Sequence, residues 1–138
     1  MDNYTIFDCH ILHLPKINSR AGNITAVNNL TNIPFAVKRV YYLYDIPSGT
    51  SRGAHGHKEL ESLIVAISGS FDITIDDGFS KKTVQLNRPD VAFNLKPGIW
   101  RDLSNFSSSA ICFVMASDVY REEDYLNDYA EFLTFKGL

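Results

Sequence analysis

Arg52-Gly53-Ala54-His55-Gly56-His57-Lys58, followed by Glu61 and an apolar run that stops at Gly69, is the stretch on which the fold turns. Two of the chain's four histidines stand here, two residues apart. Side chains of an extended strand alternate between faces, so His55 and His57 share one face while Ala54 and Gly56 take the other. Two imidazoles then lie side by side on one surface of a sheet. Imidazole titrates near neutrality, which suits the pair either to holding a metal or to moving protons.

On both sides the sequence reads as short strands separated by turns. Apolar segments cover residues 24–27, 35–44 and 63–67, the last ending at Ser68-Gly69-Ser70. Residues 71–75 alternate apolar and polar, then meet Asp76-Asp77-Gly78, a hairpin signal. Residues 82–86 alternate again; 91–95 and 99–103 flank the turn Lys96-Pro97-Gly98; 110–116 is continuously apolar and suits a buried strand. Strands at this spacing, with no helix between them, predict a β-sandwich or barrel. The tail changes period: Tyr125, Leu126, Tyr129, Phe132 and Leu133 recur at three- and four-residue intervals, predicting one amphipathic C-terminal helix packed on the sheet.

Size and composition bound the function. The 138 residues fit a single domain, 1–138, large enough to bury a core. With 45% hydrophobic and 21% charged residues and a net charge of −3, neither a nucleic-acid surface nor a membrane segment is expected. Cys9 and Cys112 lack metal-type spacing, and Cys112 sits in an apolar run as a small core residue. A reduced, cytoplasmic protein is the expectation.

From Gly49 to Gly69 the spacing of His55, His57 and Glu61 resembles the first motif of the cupin superfamily, a double-sheet jelly-roll barrel. Pro97-Gly98, Arg101 and Asn105 resemble its second motif. Metal-binding cupins carry a third histidine where this chain has Arg101. A guanidinium stays protonated and offers no lone pair, so it would repel a cation. His55, His57 and Glu61 still keep a two-histidine, one-carboxylate metal site open. A second alternative is a pair of barrel-lining histidines satisfied by polar neighbours.

Upstream, residues 38–44 read as a strand with Arg39, Tyr41 and Leu43 on one face and Val40, Tyr42 and Tyr44 on the other. In a wet cavity Arg39 suits phosphate and the Tyr41 phenol suits a sugar oxygen. Either side chain is equally at home on an ordinary strand surface.

Several blocks together resemble a narrower family, the nucleotide-sugar 3,4-ketoisomerases. They are Asn32-Ile33-Pro34-Phe35, Lys38-Arg39-Val40-Tyr41-Tyr42, the histidine stretch, Asp76-Asp77-Gly78, Pro97-Gly98-Ile99-Trp100, Asn105-Phe106-Ser107 and Ala116-Ser117-Asp118. They run in order from about Ile17 to about Tyr129. The resemblance implies a cupin-type all-β jelly-roll enzyme acting on a dTDP-linked 4-keto-6-deoxyhexose. It implies transfer of the carbonyl from C-4 to C-3, ahead of amination at C-3, with no cofactor. It also implies a homodimer with exchanged N-terminal strands. His55 would be the base, His57 and Tyr41 would shuttle protons, and Arg39, Arg52 and Arg101 would bind diphosphate or polarise the substrate. Residues 18–22 match the family's arginine-glycine turn only loosely, so both the gluco and the galacto product are compatible at C-4. The rival readings are a metal-dependent cupin, a 3,5-epimerase and a non-catalytic sugar-nucleotide binding module.

Overall fold

The computed structural model describes residues 3–138. Its strands are β1 (His10–His13), β2 (Arg39–Leu43), β3 (Arg52–His57), β4 (Ser62–Ser68) and β5 (Phe71–Asp76). They continue with β6 (Lys81–Leu86), β7 (Val91–Leu95), β8 (Trp100–Ser104), β9 (Ile111–Ala116) and β10 (Tyr125–Leu126), before helix α1 (Tyr129–Phe135). Two five-stranded sheets form, in the orders β1-β7-β4-β9-β2 and β10-β3-β8-β5-β6, and all strand pairs are antiparallel. This is the expected jelly roll with a short C-terminal helix.

The alternation read in the sequence is what closes the sandwich. On β5, Phe71, Ile73 and Ile75 are completely buried while Asp72 and Thr74 turn outward. Each such apolar side chain contributes roughly 1.5–3 kcal/mol on burial. With Ile64, Leu86, Phe93, Phe106 and Val114 they form the core between the sheets. The Asp76-Asp77-Gly78 turn joins β5 to β6 as expected: Asp77 accepts from the backbone N–H groups of Phe79 and Ser80, and Asp76 accepts from that of Gly78.

A second cluster lies on the outer face of the first sheet. Leu14, Ile33 and Phe35, from the long segment between β1 and β2, cover Leu63, Val65, Ala92 and Met115. Strands β4 and β9 are therefore apolar on both faces, the physical reason their sequences run continuously hydrophobic. The segment at residues 24–27 makes only an isolated bridge, Ile17 to Ile24. Cys9 and Cys112 are both buried and free.

The tail departs from the single expected helix. A single 3-10 turn covers Glu122–Asp124 and the α-helix covers only residues 129–135; Tyr125 and Leu126 between them extend the second sheet, pairing with His57 and Gly56 of β3. The three- and four-residue apolar spacing spans both elements, and Leu126 of the strand and Phe132 of the helix are both buried. Asp128 caps α1 by accepting from the Ala130 N–H, which fixes where the helix begins.

Candidate active site

Strand β3 presents the histidines as its sequence requires. The ring centroids of His55 and His57 are 4.9 Å apart, and their Nε2 atoms approach to 3.2 Å. Two glycines make this possible. Gly53 sits at φ +72°, where β3 slips by one residue against β8 between the Arg52–Leu103 and His55–Arg101 pairs. At Gly56 a Cβ would lie 3.3 Å from the Ile99 carbonyl oxygen and 3.6 Å from Phe132, so the bare backbone admits close packing behind the histidine face.

The cross-strand partner of His55 is Arg101. Its Nη2 lies 2.8 Å from His55 Nε2 and 3.2 Å from His57 Nε2, and the side chain is only 5% exposed. Arg101 is thus part of the imidazole cluster. Burial and the Arg101 charge depress the His55 pKa to about 3. Burial, Arg101, His55 and Arg39 depress that of His57 to about 2. Both rings are neutral bases across the physiological range.

Around them lies a cavity of about 150 Å³, walled by Arg39, Tyr41, Arg52, His55, Arg101 and Tyr125 among others. All the expected site residues except His57 line it, and His57 stands directly behind His55. Arg39 is half-buried, with its guanidinium over the rings of Tyr41 (4.6 Å) and Tyr120 (5.4 Å); Arg52 is exposed at the rim. A larger hollow of about 540 Å³ opens near Tyr42, Tyr44 and Ile111. It is walled by neither histidine nor arginine.

Two sequence expectations change here, at Glu61 and in the tail. Glu61, at cupin-motif spacing, is instead held by the Asn94 side chain at 2.9 Å and Lys96 at 3.1 Å. With Glu61 engaged there and a guanidinium against both histidine Nε2 atoms, these residues do not fit a metal. Trp100 packs against Tyr129 and Phe132 of α1 and does not wall the cavity. Finally, Tyr125, read as a helix residue, belongs to the site, as does the preceding Asp124. Asp124 Oδ2 lies 3.1 Å from His57 Nδ1, both side chains being buried, and the Tyr125 ring is 4.4 Å from that of His57 and 5.2 Å from that of His55. Asp124 also accepts from the Glu59 and Leu60 N–H groups at 2.8 and 3.3 Å. Its carboxyl pKa is raised by burial.

Residues 7–137 match the family model described as FdtA: WxcM-like, C-terminal. The chain is 37% identical over 122 residues to the TDP-4-oxo-6-deoxy-alpha-D-glucose-3,4-oxoisomerase of Aneurinibacillus thermoaerophilus, covering 88% of each. It superposes on a 3,4-ketoisomerase from Helicobacter canadensis with a TM-score of 0.92 and 42% identity, over 94% of this chain and 98% of that one. QdtA, a sugar 3,4-ketoisomerase from Thermoanaerobacterium thermosaccharolyticum in complex with TDP, gives a TM-score of 0.94 at 28% identity, over 96% and 97%. A mutant of that enzyme has been crystallised with TDP-4-keto-6-deoxyglucose. The 4-keto-6-deoxy sugar epimerase NovW of Streptomyces spheroides shares the fold alone, with a TM-score of 0.72 at 13% identity over 85% of this chain and 67% of that one.

Proposed function

The chain belongs to the FdtA family of WxcM-like, C-terminal proteins, and from that membership we propose that it is a nucleotide-sugar 3,4-ketoisomerase. Its substrate is TDP-4-keto-6-deoxy-D-glucose and its product the TDP-3-keto-6-deoxyhexose. The observation that carries this reading is the convergence of two neutral imidazoles on one guanidinium beside a cavity walled by arginine and tyrosine.

A hydrogen on carbon beside a ketone is acidic because the electron pair left behind delocalises onto oxygen. His55 removes the C-3 hydrogen as a proton; the pair forms a C-3–C-4 double bond and O-4 becomes an oxyanion. Return of a proton at C-4, protonation of O-4 and loss of the O-3 proton restore a ketone, now at C-3. His57 and Tyr41 carry protons between the two oxygens, and Arg101 stabilises the oxyanion. No electrons leave the sugar, so the steps need bases and donors but no redox partner.

At about 150 Å³ the enclosed space is smaller than the ~300–1,000 Å³ typical of whole-ligand pockets. The sugar ring therefore enters while the nucleoside diphosphate lies across the rim, where Arg39 and Arg52 pair with phosphate oxygens. The proposal extends to a cytoplasmic homodimer with exchanged N-terminal strands. Its support is the position of β1 at a sheet edge against β7, and the exposed Val40 and Tyr42 on the opposite edge strand β2, with Tyr44 just after it. Among the described residues no helix is long and apolar enough to cross a membrane.

Incubation with TDP-4-keto-6-deoxyglucose in deuterium oxide, followed by carbon and proton NMR, tests the reaction. A carbonyl at C-3 with deuterium at C-4 is expected. Solvent label at C-5 would mean epimerase chemistry, and an unchanged spectrum with bound TDP-sugar would mean a binding module.

A further inference from the structure

We propose that Asp124 is a positioning residue that fixes the tautomer of His57, holding its ring hydrogen on Nδ1 and leaving the Nε2 lone pair turned toward Arg101 and His55. The inference rests on the ketoisomerase reading for its catalytic consequence, though the tautomer itself does not.

Hydrogen-bond roles at the cluster follow from which atoms can only donate. The Nη2 of Arg101 carries two N–H groups and no lone pair. It lies 2.8 Å from His55 Nε2 and 3.2 Å from His57 Nε2, so it gives one hydrogen to each ring. Both Nε2 atoms are then acceptors, and their own 3.2 Å approach is a meeting of two lone pairs across a shared donor. A neutral ring with a bare Nε2 must carry its hydrogen on Nδ1. For His57 that hydrogen points at Asp124 Oδ2, 3.1 Å away.

Asp124 is itself held. The Glu59 N–H donates to Oδ1 and the Leu60 N–H to Oδ2, while the Lys58 N–H donates to the Asp124 carbonyl. The pairing of Tyr125 with His57 fixes the backbone beside it. The carboxylate therefore arrives at Nδ1 already oriented, from 67 residues downstream. When His57 Nε2 takes a proton during turnover, the ring becomes an imidazolium with a hydrogen on each nitrogen. The adjacent carboxylate stabilises that charge without accepting the proton, as in serine-protease triads.

A carboxylate that merely capped the turn at residues 59 and 60 would leave the histidine tautomer and the chemical step untouched, so the two roles separate experimentally. In Asp124→Asn the amide oxygen keeps the shorter backbone bond, from the Glu59 N–H at 2.8 Å, and the amide NH₂ takes the place of Oδ2, losing the 3.3 Å Leu60 bond and facing Nδ1. This forces Nδ1 to accept and puts the hydrogen on Nε2, against the Arg101 donor. Long-range ¹H–¹⁵N spectra of the histidine rings should show His57 protonated at Nδ1 in the unmodified protein and at Nε2 in the variant. The kcat for TDP-4-keto-6-deoxyglucose should fall by roughly 10²- to 10⁴-fold with little change in KM or in TDP affinity. In a His57→Gln background the same substitution should cost almost nothing further. A His57 that carries its hydrogen on Nε2 in the unmodified protein would overturn the assignment, whether or not the variant folds. So would a folded variant that keeps its kcat, or equal losses with and without His57. Failure of the ketoisomerase reading would show separately, as absence of the C-3 ketone with the unmodified protein.

Discussion

The two ends of the space between the sheets are built from the same pair of sheets and do opposite things. Toward one end Phe71, Ile73, Leu86, Phe93 and Phe106 fill the interior with side chains that are at most 8% exposed. Toward the other, β2, β3 and β8 turn Arg39, Arg52, His55 and Arg101 into a cavity. Strand β5, which pairs with β8, carries only apolar residues inward. The backbone frame is therefore indifferent to the chemistry it holds, and single inward positions decide it. The apolar end lowers the free energy of the folded state. The basic end raises it, because burying an arginine and two imidazoles forgoes their hydration.

The contrast is sharpest for His55→Asn. Loss of the base should reduce turnover by about 10³-fold or more while TDP affinity persists, measured by single-turnover NMR and titration calorimetry. If that variant kept full activity, the basic end would not be where the chemistry happens. Phe71→Ala tests the opposite end: a fully buried ring is removed, with an expected loss of ~3–5 kcal/mol in denaturant unfolding but unchanged kcat per folded molecule. A drop in kcat alone would show the two ends to be coupled.

Acid should unfold the protein through the basic end. Both imidazoles have folded-state pKa values depressed from 6.5, to about 3 and about 2. Below pH 6.5 the unfolded chain binds protons that the folded one refuses, so stability falls with pH through that window. From pH 7 to pH 5 each ring should cost about 2 kcal/mol, a dependence that His55→Asn should roughly halve. At the bottom of the scale, His10→Ala with His13→Ala should change stability by less than about 0.5 kcal/mol and leave turnover alone, since both side chains are exposed on β1. A larger effect on turnover would give the N-terminal strand a part in the site.

Much of the frame was legible because period-two alternation and turn chemistry are local. Strands β5, β6 and β7, the Asp76-Asp77-Gly78 turn and the shared face of His55 and His57 needed no tertiary information. What escaped was set by distant partners. Glu61 has the spacing of a metal ligand, yet Lys96 and Asn94 draw it away. Asp124 lies in the acidic run Glu122-Glu123-Asp124, which reads as part of a polar stretch ahead of the apolar tail pattern. Only the pairing of Tyr125 and Leu126 with β3 reveals that one of those three carboxylates is buried against an imidazole. The apolar spacing of the tail was real, but it served a strand and a helix in succession. Strand β1 is four residues long and largely exposed, too little pattern to register.

The short strand β10 has a consequence for how the protein is made. Synthesis delivers both histidines and Arg101 before residues 124–126, so a nascent or clipped chain can complete most of its sheets and still have nothing against His57 Nδ1. Catalytic competence should accordingly lag behind the appearance of β-structure on the ribosome, and proteolysis after residue 120 should yield a species that still looks sheet-rich by circular dichroism but is inert.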